Sequence, residues 1–160
     1  MTSDIDYAAI VPAPVGLVGV VMDAGQLLAI DLDPPVTAVD RAPDGAVREV
    51  LDQLFHYFED AAWRFDLPLA IQGTPFQRRV WQALSEIPSG VTRSYGELAQ
   101  TLGSSALAVG GACRRNPVPI VVPCHRVVAA DGRVGGFMGQ RDGKALTIKI
   151  WLLDHERGCL

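Results

Sequence analysis

The apolar pattern of this 160-residue chain changes character once, at Gln72-Gly73, and that change limits what the chain can fold into. Before it, the runs are short and extended. Val15–Met22 and Leu27–Asp31 flank Asp23-Ala24-Gly25-Gln26, the pattern of a β-hairpin. Pro34, Pro35 and Pro43 mark a loop. Val47, Val50, Leu51, Leu54, Phe55 and Phe58 then recur at helical spacing, which predicts an amphipathic helix from about Ala46 to Asp60. Phe65–Ile71 is a candidate for one more strand. After the boundary the punctuation is helical. Thr74-Pro75-Phe76-Gln77 joins an N-cap Thr, Pro at the first helical position and Gln at the third, a capping box. Ser94-Tyr95-Gly96-Glu97 repeats the device, with Leu98, Ala99 and Leu102 as the apolar face and Gly103 as the stop. Ser104-Ser105 cap a further helix, which ends before Asn116-Pro117 because a residue preceding Pro avoids the helical region. Two short helices joined by a tight turn form a helix-turn-helix pattern. A last helix is expected from about Ala145 to Glu156. The expected architecture is an α/β N-terminal domain over residues 1–73, a small antiparallel sheet plus a helix, followed by a mostly helical domain over residues 74–160.

Charge follows the same boundary. The chain carries 14 Lys+Arg against 18 Asp+Glu, a net of −4, which argues against coating nucleic acid by bulk charge. Residues 1–73 hold three basic groups against twelve acidic ones, a net of −9, and residues 74–160 hold eleven against six, a net of +5. Only the second unit is drawn to an anionic partner. No basic leader and no apolar run near the ~20 residues of a membrane span is visible, so an intracellular, cytoplasmic protein with no membrane partner is expected. Cys113, Cys124 and Cys159 cannot all pair and show no zinc spacing with histidine, so neither a disulfide framework nor a metal is expected.

The segment Ala106–Arg115 is the candidate recognition helix. A helix that reads the major groove needs Asn, Gln, Arg or Lys at base edges. This one offers Leu107, Ala108, Gly110 and Gly111, with Arg114 and Arg115 only at its end. Small side chains allow close approach either to a DNA minor groove or to another helix, and the residues alone leave both open. Downstream, Ile120-Val121-Val122 delivers Cys124 just after Pro123, beside His125 and Arg126. The thiolate is the reactive form of cysteine, and cationic neighbours lower its pKa from ~8.5. His125 can act as its base across a turn or through a water, if a carboxylate orients the ring. Glu156, or failing that Asp154, is the candidate. Taken singly, Cys113 and Cys124 read as small buried hydrophobes, Cys159 as an exposed thiol and Glu156 as a solvated helix-end carboxylate. Only the combination points to nucleophilic chemistry.

The run Asn116-Pro117-Val118-Pro119-Ile120-Val121-Val122-Pro123-Cys124-His125-Arg126-Val127 resembles the active-site segment of the O6-alkylguanine-DNA alkyltransferases, also called methylated-DNA–protein-cysteine methyltransferases. The likeness extends through Ser94-Tyr95, Ala108–Ala112, Lys149, Leu152-Leu153 and Glu156, and more weakly through the N-terminal hairpin and helix. The resemblance implies an RNase H-like N-terminal domain and a winged-helix, helix-turn-helix C-terminal domain that binds the minor groove of double-stranded DNA. It also implies that an alkylated guanine is flipped from the stack and its alkyl group moved to Cys124, with no cofactor. O4-alkylthymine is a second candidate lesion. By position, His125 deprotonates Cys124 through a water, Glu156 holds the imidazole, and Asn116 braces the turn before the nucleophile. Tyr95 assists base rotation and leaving-group protonation. Pro119, Val127, Phe137 and Met138 line the base pocket with Tyr95. Ser94, Arg114 and Arg115 face phosphates, and Arg126, mainly structural in the family, is counted with the DNA-side residues Leu107, Ala108, Gly110 and Gly111. A monomer in solution is expected, with cooperative binding on DNA left open. Two departures stand out. Leu107 occupies the place of an Arg that fills the space of the flipped base, which predicts weaker repair of duplex DNA. The stretch from Met138 to Ile148 is longer than the usual pattern. The rival readings are an alkylation-sensing or lesion-binding protein with little repair activity, and a Cys-His-Glu hydrolase.

Overall fold

The computed structural model describes residues 5–36, 45–140 and 143–158. Pro43, Cys159 and part of the 138–148 stretch, about which the sequence raises expectations, lie outside them. The chain divides between Ile71 and Gln72 into two compact units. No helix among the described residues is long and apolar enough to cross a membrane.

In the first unit, β1 (Ala9–Ala13), β2 (Gly16–Asp23) and β3 (Gln26–Asp31) form an antiparallel sheet in that order. The expected hairpin is β2–β3. Its turn residues Ala24 and Gly25 both have positive φ (50° and 81°), the paired left-handed geometry that matches strand twist. Strand β1 escaped the sequence pattern because Pro12 interrupts a short run. Pro has no N–H to donate to a ladder and is tolerated at a sheet edge, where β1 lies. Helix α1 (Gly45–Glu59) buries Val50, Leu51, Leu54 and Tyr57, whereas Phe55 is 41% exposed. Its inner stripe is therefore rotated toward Tyr57 from the one read off the aromatic spacing. Phe65–Ile71 does not form a strand. Buried Gln53 holds its start by donating to the Asp66 carbonyl (2.9 Å) and accepting from the Asp66 N–H (2.8 Å). Only a single bridge, Leu69 to Leu27, touches the sheet, and Pro68 there has no N–H to extend it.

The second unit is built from α2 (Pro75–Ser85), β4 (Arg93–Ser94), α3 (Tyr95–Leu102), α4 (Ala106–Arg114), a 3-10 turn at Cys124–Arg126, β5 (Val127–Val128) and α5 (Gly143–Arg157). The capping boxes Thr74/Gln77 and Ser94/Glu97 both form, and Ser105 caps α4. Gly103 ends α3 in the left-handed conformation (φ 64°), which turns the chain directly into α4. Helices α3 and α4 are the helix-turn-helix pair. Val80, Trp81 and Leu84 of α2 pack in the core with Leu98, Val109 and Ala112, and the Trp81 indole N–H donates to the Ala112 carbonyl (2.9 Å). Parallel pairing of β4 with β5 brings the start of α3 beside the segment that follows Cys124.

Candidate active site

The loop between α4 and the 3-10 turn is held by Asn116. Its buried side chain accepts from the Val118 N–H (3.0 Å) and donates to the Val122 carbonyl (2.7 Å). Within the bracket, Ile120 sits at φ 75°, a conformation a β-branched residue rarely adopts. Such strain persists only where the surroundings over-determine it, and here the Asn116 bridge and near-complete burial of Ile120 do so. The loop ends at Pro123 and delivers Cys124 as the first residue of the 3-10 turn. In an extended chain Cys124 and His125 would point to opposite faces. The tight helical turn sets successive side chains about a third of a revolution apart.

His125 is completely buried, and its Nε2 lies 2.8 Å from Glu156 Oε2 on α5. Glu156 also accepts from Arg126 Nε (2.8 Å) and Nη2 (2.9 Å). Burial would raise the Glu156 carboxyl, but the hydrogen bonds from His125 and Arg126 outweigh it and hold it well below the usual carboxylate range. An ionised carboxylate accepts only, so His125 carries its proton on Nε2 and offers a lone pair at Nδ1. Nδ1 is buried and bonds to no protein group among the described residues. Burial lowers the His125 pKa against the pull of Glu156, which favours the neutral ring.

Cys124 forms part of the wall of a cavity of about 400 Å³ that lies wholly within the second unit. Tyr95, Leu107, Gly110, Gly111, Arg114, Phe137 and Met138 line it too, as does Cys113. Burial pushes the Cys124 thiol up to about 11, against opposing effects from the Asn116 amide and the Lys149 charge. The Tyr95 hydroxyl is raised to about 12 by burial and by the two thiols. The tip of the wall is a tight turn in which the N–H of Phe137 donates to the Gln140 carbonyl (2.7 Å) and that of Gln140 to the Phe137 carbonyl (2.9 Å). Gly139 (φ 81°) lies so close to the Arg114 stem that an added Cβ would sit 3.2 Å from it.

The family model for the 6-O-methylguanine DNA methyltransferase DNA-binding domain matches residues 75–158. The methylated-DNA–protein-cysteine methyltransferase of Methanosarcina acetivorans is 39% identical over 161 residues, covering 96% of this chain and 99% of that protein. Its counterpart in Mycobacterium leprae is 47% identical over 116 residues, covering 71% and 67%. The chain belongs to the O6-methylguanine-DNA methyltransferase family. The fold agrees: the crystal structure of the Mycobacterium tuberculosis O6-methylguanine methyltransferase superposes with a TM-score of 0.78 at 36% identity, over 94% of this chain and 92% of that one. The same enzyme in complex with DNA matches equally well.

Within that family's site, the residues named from sequence separate into three groups. Cys124, Tyr95, Leu107, Gly110, Gly111, Arg114, Phe137 and Met138 share the cavity, while His125 pairs with Glu156 and Asn116 bridges the loop that precedes Cys124. Ser94 and Ala108 are outside the lining. The Ser94 hydroxyl is engaged as the α3 cap, accepting from the Glu97 N–H (3.0 Å), and Arg115 is exposed just past α4. Pro119 and Val127, expected in the base pocket, are instead buried outside the cavity lining, Pro119 in the strained loop and Val127 in β5. Arg126, counted with the DNA-side residues, is buried, with its guanidinium on Glu156 and the Ile87 carbonyl. Two participants were missed. Cys113, read as packing, lines the cavity. Lys149 is completely buried, its Nζ donating to the carbonyls of Val127 (2.6 Å) and Gly136 (2.9 Å). The available signal was its spacing, since Lys149, Leu152, Leu153 and Glu156 share one helix face.

Proposed function

We propose that this protein repairs O6-methylguanine in DNA by transferring the methyl group irreversibly to Cys124. The observation that carries the reading is Cys124 in the wall of a cavity that borders α4, with the His125–Glu156 pair behind it. The Cys124 proton passes through a water to His125 Nδ1, and Glu156 stabilises the imidazolium that results. The sulfur attacks the methyl carbon, forming a C–S bond as the bond from carbon to guanine O6 breaks. The electron pair stays with the guanine, which takes a proton from water as it leaves. Tyr95, with its pKa raised, keeps its hydroxyl proton at neutral pH and supplies the hydrogen bond to that leaving group. The product is a thioether, without the carbonyl that lets an acyl-enzyme hydrolyse, so each molecule acts once.

A base inside a duplex cannot reach this thiol, so the lesion is flipped out of the stack. The small-residue face of α4 enters the minor groove, and Leu107, 87% exposed at the cavity, acts as an apolar wedge. Leucine cannot hydrogen-bond the orphaned partner base as arginine can, which weakens repair of duplex DNA. Arg114 and Arg115 face phosphates. Residues 74–160 form the DNA-binding and transfer domain, residues 1–73 a separate α/β domain, and the protein works as an intracellular monomer. Cys124→Ser tests the assignment. The variant binds an alkylated duplex as tightly as the parent but removes no methyl; residual transfer by it would place the nucleophile elsewhere, and binding without transfer by the parent would favour a lesion-binding protein.

A further inference from the structure

Lys149 sits where packing alone calls for an apolar residue. Its neighbours on the inner face of α5 are Ile148, Leu152 and Leu153, and all four are buried. Taking an ammonium out of water costs several kcal/mol unless something compensates. The carbonyls of Val127 and Gly136 satisfy two of its protons but carry no net charge, and among the described residues no carboxylate pairs with it. Those carbonyls belong to two different pieces of the site. Val127 directly follows the turn that holds Cys124, and Gly136 directly precedes the cavity residue Phe137. The adjoining Gly135 (φ 74°) lies beside the same groups: an added Cβ would be in ordinary contact with the Tyr95 ring (3.5 Å) and Lys149 Nζ (3.8 Å). Nζ itself lies 6.0 Å from the centroid of the Tyr95 ring, at the outer limit of a cation–π contact.

We propose that Lys149 is a positioning residue that clasps the cavity wall to the nucleophile's own segment and keeps a positive charge beside Cys124 as its thiolate forms. The inference rests on Cys124 being the nucleophile. The titratable and charged groups gathered there are Tyr95 from α3, Cys113 and Arg114 from α4, Cys124, His125 and Arg126 from the turn, and Glu156 from α5. Glu156 is engaged by His125 and Arg126, which leaves the thiols as the anions that can answer the ammonium. The couplings are reciprocal. Burial lowers Lys149 to about 8 while Cys124 and Cys113 pull it back up, and Lys149 lowers both thiols against their burial. Ionising Cys124 thus supplies the counter-charge that Lys149 lacks.

Two substitutions separate the clasp from the charge. Lys149→Gln keeps an N–H donor without the charge, and Lys149→Met fills the slot with neither. The rate of iodoacetamide alkylation at Cys124, read by peptide mass across pH, reports its thiolate fraction without any DNA. Both variants are expected to shift that profile upward by about one unit, so about ten-fold slower alkylation at neutral pH, with single-turnover methyl transfer falling in parallel and DNA affinity within two-fold. Only Lys149→Met is expected to speed hydrogen exchange over Gly136–Gln140. If one variant fails to fold, the profile of the other decides. An unshifted profile with an unchanged transfer rate, or a rate loss with no shift, overturns the proposal. Failure of the parent protein to transfer methyl would refute the proposed function instead and leave the alkylation profile readable.

Discussion

Glu156 serves two buried partners at once, and its neutralisation has two separable consequences. Glu156→Gln leaves the Arg126 guanidinium buried without a counter-charge. Removing one member of a buried pair costs about 3–5 kcal/mol, so a loss of unfolding free energy of that size, read by urea denaturation, is expected. The same change releases the His125 ring and slows transfer. The buried His125 ring carries a pH prediction of its own. Burial lowers its pKa, so the ring stays a neutral base below its ordinary value of 6.5. Followed by NMR, the His125 ring is expected to take up its proton only below 6.5; a titration midpoint above 6.5 would contradict this assignment. Stability follows the same sign. Between the folded and unfolded pKa values the unfolded chain binds a proton that the folded chain does not, so stability drops as pH falls through that window. The depressed Glu156 carboxyl contributes stability that is fully present above its unfolded pKa and is lost as pH falls toward its folded one. These residues were legible from sequence as types at the right spacing. Their geometry was not, because it depends on a 3-10 turn and on a helix 30 residues away in sequence, and neither leaves a local pattern.

Among the elements, those with strong punctuation were readable and those stabilised by long-range contacts were not. Thr74, Ser94, Gly103 and Ser105 mark the ends of α2, α3 and α4, because caps act on adjacent backbone groups. Strand β1 and the segment after α1 depend on partners elsewhere, a neighbouring strand in one case and the Gln53 amide in the other. Helix α5 begins two residues earlier than its apolar pattern indicates, at Gly143. Arg126 and Lys149 show the same limit, since a cation that serves the interior looks like any other cation in a basic domain. Helix α4 carries the prediction at this scale. Leu107→Arg changes an exposed side chain in its first turn and should leave the melting temperature unchanged. It should raise the rate of repair on an alkylated duplex while leaving the rate on a single strand nearly the same. Equal duplex rates before and after the change would remove Leu107 from the account of base flipping.

For the whole molecule, the net charge of −4 describes neither unit. The positive excess of the second unit is also smaller at its surface than in its composition, because Arg126 and Lys149 are buried. Exposed Arg114 and Arg115 flank the end of α4, where phosphate contacts would be made. Salt-dependent DNA binding is expected to follow these surface charges, and reversing several Asp and Glu charges of the first unit should raise non-specific affinity and steepen its dependence on salt. Unchanged salt titrations would show that the acidic unit has no electrostatic part in binding. The central claim, one transfer per molecule to one thiol, is tested most directly by stoichiometry. An excess of duplex bearing O6-methylguanine is incubated with the protein, and both lesion loss and protein mass are measured. Loss of one equivalent of lesion is expected, with a single methyl group added on Cys124. Loss of lesion beyond one equivalent, or a methyl group on any other residue, would contradict it.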